Sequence, residues 1–207
     1  MQSYRNLDSR LSPAFSPVAG RARTLFGAVV LASLIVRLLD LDHLLEFNRA
    51  SFFAGEFWRL FTGHLAHWSA QHMAWDFGAF VALSAMILAR QSLRDRYPAV
   101  LGASVLAISI LQLTSVTHLS AYRGLSGVDS ALFLFLAADI VLDSWRRSQR
   151  ATTLVALLCI VGFIGKIIAE SSGGSALFAT QMGPGVEIAT FAHLVGAAVG
   201  TLAALEK

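Results

Sequence analysis

The sequence predicts an all-α membrane protein, a bundle of six transmembrane helices with both termini in the cytoplasm. Three observations carry that expectation. Hydrophobic residues make up 56% of the 207 positions and charged residues only 14%, against about 25% charged in an ordinary soluble domain, and the mean hydropathy is +0.63. Six apolar segments follow one another, several near the roughly 20 residues that cross a bilayer core. The cations between them collect in alternate connections, the pattern of a chain whose cytoplasmic loops are rich in Arg and Lys. The same composition excludes a soluble globule. It also argues against nucleic-acid binding, because the formal charge is only +3, Lys occurs only at Lys166 and Lys207, and no basic stripe interleaves with aromatics. Cys159 is the single cysteine, so the chain can form neither an intrachain disulfide nor a thiolate metal cage, and a small core or lipid-facing residue is expected.

Residues 1–23 carry Arg5, Arg10, Arg21 and Arg23 among Ser and Pro and lack the apolar core and cleavage site of a signal peptide. They read as a cytoplasmic tail, with residues 24–207 as the membrane domain. The apolar segments are about Thr24–Leu39, Ala66–Ala89, Pro98–Thr117, Gly124–Leu142, Ala151–Glu170 and Val186–Leu205. Arg90, Arg94 and Arg96 follow the second, Arg146, Arg147 and Arg150 the fourth, and Lys207 the sixth, whereas Ser171–Glu187 has no Lys or Arg. With the tail arginines, eleven of the sixteen cations fall on one side, which places both termini in the cytoplasm. Arg49, Arg59 and Arg123 fall in outer loops. The outer loop 40–65 holds Phe47, Phe52, Phe53, Phe57, Trp58 and Phe61, as a segment resting in the membrane interface would. There is no internal repeat, and the only biased tract is Ser171–Ser175.

Polar residues collect at one depth. His67, His72 and Asp76 lie in the outer half of the second segment, Ser126 and Asp129 at the outer start of the fourth, and His193 about two turns below the outer end of the sixth. Ionisable groups at a helix centre cost about 2.5–3.5 kcal/mol each on insertion scales, so several at one level imply a site. Gly124-Leu125-Ser126-Gly127 stands where an outer turn becomes a helix. Its glycines allow close approach of a substrate, and the free amides of a helix N-terminus can bind a developing oxyanion. In the sixth segment, Gly196 and Gly200 form a small-residue face below His193 that lets this helix approach another closely. A Ser and a His brought together in this way are nucleophile and general base. His72 and Asp76, at i and i+4, share a helix face and are candidates to support the same site. Taken singly, each feature has a plain structural reading: a turn serine, packing glycines, a hydrogen-bonded bundle histidine. His43, His64 and His118 receive no role, and Asp139 and Asp143, near the cytoplasmic end, are expected to be solvated.

At these residues the chain resembles the rhomboid intramembrane serine proteases. Gly124-Leu125-Ser126-Gly127 matches the family's Gly-x-Ser-Gly nucleophile motif, and Ala192-His193 followed by Gly196 and Gly200 matches its last-helix base motif. His67, His72 and Asp76 stand at the spacing of the family's His…His…Asn motif, and Trp58-Arg59 resembles a pair common in the first outer loop. The compact six-helix form, Trp-Arg-Leu-Phe-Thr-Gly-His and Tyr-x-Gly-Leu-Ser-Gly-Val are similar to one subfamily, the rhombosortases. The resemblance implies a rhomboid bundle in a bacterial inner membrane, with its active site toward the periplasmic side. It also implies cleavage of membrane-anchored exported proteins near a Gly-Gly C-terminal sorting tail.

One departure stands out, because Asp76 occupies the position of the family's Asn. A protonated Asp76 donates to an oxyanion, an ionised one repels it, and a third role is to orient His72. The expected chemistry is peptide hydrolysis by a Ser126–His193 dyad, with the Ser126 amide and His72 at the oxyanion. His67, Ser69 and Gln71 are expected to line a water path. Lys166 and Glu170, i and i+4 in the fifth segment, read either as a pair that neutralises two costly charges or, by analogy, as residues facing the site with Asp129. No cofactor and no metal are expected, and the partners are a membrane-anchored substrate and the lipid bilayer. The rival readings are an inactive rhomboid-like protein that binds membrane helices and a haem or quinone carrier using His72 and His193.

Overall fold

The computed structural model describes residues 17–116, 118–173 and 189–206. Most of the expected tail, most of the Ser171–Glu187 connection with the start of the sixth segment at Val186, and Lys207 lie outside the described residues. In chain order the elements are α1 (Pro17–Leu38), α2 (Asp42–Leu45), β1 (Phe47–Asn48), α3 (Arg49–Phe53), α4 (Arg59–Thr62), α5 (Ala70–Ala89), α6 (Gln91–Arg94) and α7 (Tyr97–Thr114). Then come β2 (Ala121–Tyr122), α8 (Ser126–Arg146), α9 (Arg150–Gly173) and α10 (Thr190–Leu205). The long helices α1, α5, α7, α8, α9 and α10 correspond to the six apolar segments. The first of them begins seven residues earlier than its apolar run, at Pro17, because proline at a first helical position has its φ preset and no N–H to leave unpaired.

Four helices, α1, α5, α7 and α9, are long and apolar enough to cross a membrane by length and composition. The other two differ for a physical reason. α8 carries Asp129, Asp139, Asp143 and Arg146, and it lies at the centre of the bundle against α5, α7, α9 and α10. Its Val128, Ala131, Leu132 and Phe135 join Phe80, Ile87 and Tyr97 in the main core. α10 has only 16 residues and lies along α8. A Cβ at Gly196 would run into the Gly127 carbonyl, and one at Gly200 into the Ala131 carbonyl, so the two backbones touch at small residues. α9, by contrast, turns Leu154, Val155, Leu158, Val161 and Ile168 outward. Cys159 is exposed among them, on a surface that suits lipid.

The loop of residues 40–65 folds back on the chain just before α8. β1 and β2 pair antiparallel, Phe47 opposite Tyr122 and Asn48 opposite Ala121. The loop's arginines act as clasps. Arg49 donates to the carbonyls of Gln112 and Leu113 in the last turn of α7, and to those of Val116 and Leu119 just beyond it, at 2.5–3.2 Å, satisfying carbonyls that a helix end leaves free. Arg59 bonds the carbonyls of His43 and Glu46 at 3.0 and 3.2 Å and pairs with Glu56. Arg123 pairs with Glu46 at 2.7 Å, donates to the His67 carbonyl at 3.1 Å and stacks over Trp68. Around them, Phe53, Phe57, Trp58 and Phe61 remain exposed.

At the opposite end, one expectation is corrected. Asp139 is not solvated but 3% exposed, and it receives Arg90 at 2.9 Å. A carboxylate on the central helix cannot reach water past its neighbours, so a cation from the α5–α6 junction meets it instead.

Candidate active site

α5 begins with Ser69 as N-cap, its hydroxyl accepting from the His72 N–H at 3.0 Å. The cap fixes the first turn and, with it, the direction of His72. The hydroxyl expected to line a water path is therefore engaged in starting a helix. One turn on, Asp76 lies beside both histidines: Oδ2 is 3.2 Å from His72 Nε2 and 3.6 Å from His67 Nε2. His72 Nδ1 accepts from the Trp68 N–H at 3.4 Å, which leaves Nε2 as the protonated nitrogen and a donor toward Asp76.

The turn before α8 fits over this cluster. Gly124 has φ +126°, a left-handed conformation that glycine adopts without steric cost. A Cβ there would lie 2.9 Å from Asp76 Oδ2 and 3.0 Å from the His72 ring. Its carbonyl accepts from Tyr122 Oη at 3.0 Å, and its amide bonds the Gly63 carbonyl at 3.1 Å. Burial pushes the Tyr122 phenol far up, so it stays a donor. Held this way, the N-terminus of α8 points two amides at Asp76, whose Oδ2 accepts from the N–H of Leu125 at 2.9 Å and of Ser126 at 3.1 Å. A carboxylate oxygen thus sits at a helix N-terminus, where the dipole favours negative charge. It sits among the same donors, the Ser126 amide and His72 Nε2, that the sequence offers to an oxyanion.

Ser126 and His193 line one cavity of about 270 Å³ between α5, α8, α9 and α10. Asp129, Ser130 and Lys166 supply its polar wall, and Trp75, Phe133 and Phe163 much of its apolar wall. Gly127 is the close point beneath Ser126, since a Cβ on it would lie 3.0 Å from the Ala192 Cβ and carbonyl oxygen. The residues before and after this contact are Ser126 on one helix and His193 on the other. His193 is 6% exposed and its Nδ1 has no hydrogen bond among the described residues. That atom lies 3.5 Å from Glu170 Oε2, which accepts from Lys166 Nζ at 2.6 Å. Both carboxylate oxygens of buried Asp129 lack a hydrogen bond among the described residues.

The structure therefore gathers the sequence candidates into two groups. His67, His72, Asp76 and Gly124 form one, and Ser126, Gly127, Asp129, Lys166, Glu170 and His193 form the other. The Ser126 amide joins them. Gly196 and Gly200 serve the helix contact and not the cavity. The apolar walls escaped the motif reading, although Trp75, Ala79 and Leu83 recur every fourth residue and so share a helix face. His64 also has a structural place: it is buried, and its Nε2 lies 3.2 Å from Ser109 Oγ.

A bundle with four helices long and apolar enough to cross a membrane, in which a serine and a histidine line one cavity, is the architecture of a multi-pass membrane protein. A family model of the Rhomboid domain matches residues 54–206. The chain belongs to the rhomboid family, a family of intramembrane serine proteases acting on membrane proteins. No curated protein matches the sequence significantly.

Proposed function

We propose that the protein is an intramembrane serine endopeptidase in which His193 takes the proton of Ser126 and Ser126 attacks a peptide carbonyl. The observation that carries this reading is the shared cavity, with its two residues set on helices whose backbones meet at Gly127, Ala192 and Gly196. Attack forms the Ser126 ester oxygen bond and breaks the carbonyl π bond. The new oxyanion takes the Ser126 amide and His72 Nε2 as donors once Asp76 has moved off them. His193 then protonates the leaving amine as the peptide bond breaks, and water, deprotonated by His193, releases the acyl group. The six long helices act as spans, with the tail of residues 1–23 and the C-terminus in the cytoplasm of a bacterium and the site toward the periplasm.

The substrate is an exported protein anchored by a C-terminal helix, cut at a Gly-Gly type sorting tail as in the rhombosortases. Glycines suit this cavity because they weaken a helix enough to expose a carbonyl. The test is to co-express the chain with a secreted reporter bearing a Gly-Gly tail, an apolar helix and basic residues. Wild type releases the reporter, and Ser126→Ala and His193→Ala do not; equal release by all three sinks the protease reading. A second reading, an inactive rhomboid that binds membrane helices, is favoured by one observation: Asp76 already holds the amides an oxyanion needs. It expects no release by wild type and retention of the reporter in a complex.

A further inference from the structure

The sequence left Lys166 and Glu170 open between a neutralising pair and residues that face the site, and the side-chain geometry separates the two. A pair that only cancels charge needs no third member. Here the carboxylate oxygen that accepts from Lys166 Nζ, Glu170 Oε2, is also the atom that lies 3.5 Å from His193 Nδ1. The Glu170 side chain is 2% exposed. His193 Nδ1 is buried and has no hydrogen bond among the described residues, an uncommon state for a ring nitrogen. The one nitrogen of a base that must stay protonated while the other accepts a proton thus lies beside a buried carboxylate, at the same oxygen that Lys166 holds. Among the described residues, Asp129 on α8 lines the same cavity, and His72 and Asp76 on α5 face one another.

We propose that Glu170, anchored by Lys166, is a positioning residue for His193, so that the site works as a Ser126–His193–Glu170 triad. The inference rests on the dyad reading above and deepens it. Its chemistry needs no new reactant. Glu170 accepts the Nδ1–H of His193, which leaves the Nε2 lone pair to take the Ser126 proton, and the carboxylate then faces the imidazolium without taking a proton itself. A contraction of about half an ångström, of the kind a substrate imposes when it fills a loose site, brings 3.5 Å to ordinary hydrogen-bond length. Lys166 limits the motion of Glu170 by holding the same oxygen.

The experiment measures kcat and KM of purified protein in vesicles on the Gly-Gly reporter. Ser126→Ala, His193→Ala, Glu170→Gln, Glu170→Asp and the double variant Lys166→Met/Glu170→Gln are compared with wild type. The triad expects Glu170→Gln to lose about 10²–10⁴ in kcat with KM little changed, as when the carboxylate of such a triad becomes an amide. Glu170→Asp recovers part of that loss. The double variant decides most, because it removes both charges and leaves no lone buried ion to unfold the helix. If Glu170 only neutralises Lys166, the double variant regains wild-type turnover, and the proposal is overturned. If Glu170 acts through His193, the double variant stays as slow as Glu170→Gln. Loss of activity in Ser126→Ala and His193→Ala with full activity in Glu170→Gln removes the triad and keeps the dyad. Activity retained in all variants, or absent from wild type, removes both.

Discussion

Where α5 and α8 end, charge answers charge: Arg90 meets Asp139 at 2.9 Å and Arg147 meets Asp143 at 3.0 Å. At the Ser126 end, Arg49 and much of Arg59 and Arg123 are spent on backbone carbonyls. Of the acids at the site, Asp76 turns to histidines and amides, and Glu170 to Lys166 and His193. At the first end Arg147–Asp143 is exposed and contributes little, whereas Arg90 reaches a buried carboxylate, Asp139. The second is a set of buried polar groups, each with few substitutes, which is where a change is felt most. At the site one carboxylate gathers several partners, Asp76 two amides and two histidines and Glu170 a lysine and a histidine.

That contrast can be broken in four places. The largest effect is expected at Asp76. If its carboxylate competes with an oxyanion for the Ser126 amide and His72, Asp76→Asn raises cleavage by as much as about 10²–10³-fold, the usual worth of one oxyanion donor. The same change lowers stability by up to about 2 kcal/mol through loss of a carboxylate from the α8 N-terminus. A large fall in cleavage would instead give the carboxylate a role that an amide cannot fill.

Next comes acid. Burial pushes the His64 imidazole down from 6.5 to about 4. The unfolded chain therefore binds more protons than the folded one between those values, and the stability present above pH 6.5 is lost as pH falls toward 4, by about 3 kcal/mol. Thermal unfolding in detergent across that window should show the loss, and His64→Gln should flatten it. An unchanged acid branch would put the sensitivity elsewhere.

Crowding the helix seam follows. Gly196→Ala and Gly200→Ala each force α8 and α10 apart at a cost of about 1–3 kcal/mol. The two should melt alike, yet Gly196→Ala should lose more activity, because its carbonyl neighbour is Gly127, next to Ser126. Equal activity losses would mean that the seam supports the fold without tuning the site. The smallest effect closes the comparison. Arg147→Ala should leave the melting temperature within the change set by about 0.5 kcal/mol, its side chain being 65% exposed. Arg49→Ala should cost about 2 kcal/mol or more by freeing four carbonyls at once.

The long helices and the site's membership were legible because both have local signatures: apolar runs of bilayer length, glycines around Ser126, and i, i+4 spacing of His72 and Asp76. What the sequence hid depends on contacts far apart along the chain. That Asp76 caps α8 involves residues 49 and 50 positions away. The three outer-loop arginines looked like exceptions to a charge pattern until their carbonyl partners were visible. Asp139 looked solvated because position along a helix tells depth but not which neighbour covers it. The early start of α1 at Pro17 was hidden by arginines that lower hydropathy without opposing a helix.

The seam at Gly127 and Gly196 also has a consequence in time. Ser126 opens α8 and is made well before His193, whose helix is the last of the described elements to leave the ribosome. Until α10 slides its small residues against α8, the cavity lacks the wall that carries His193. Under the proposed mechanism a half-inserted chain therefore cannot cut the membrane proteins being made beside it, and the same contact that completes the bundle also arms it.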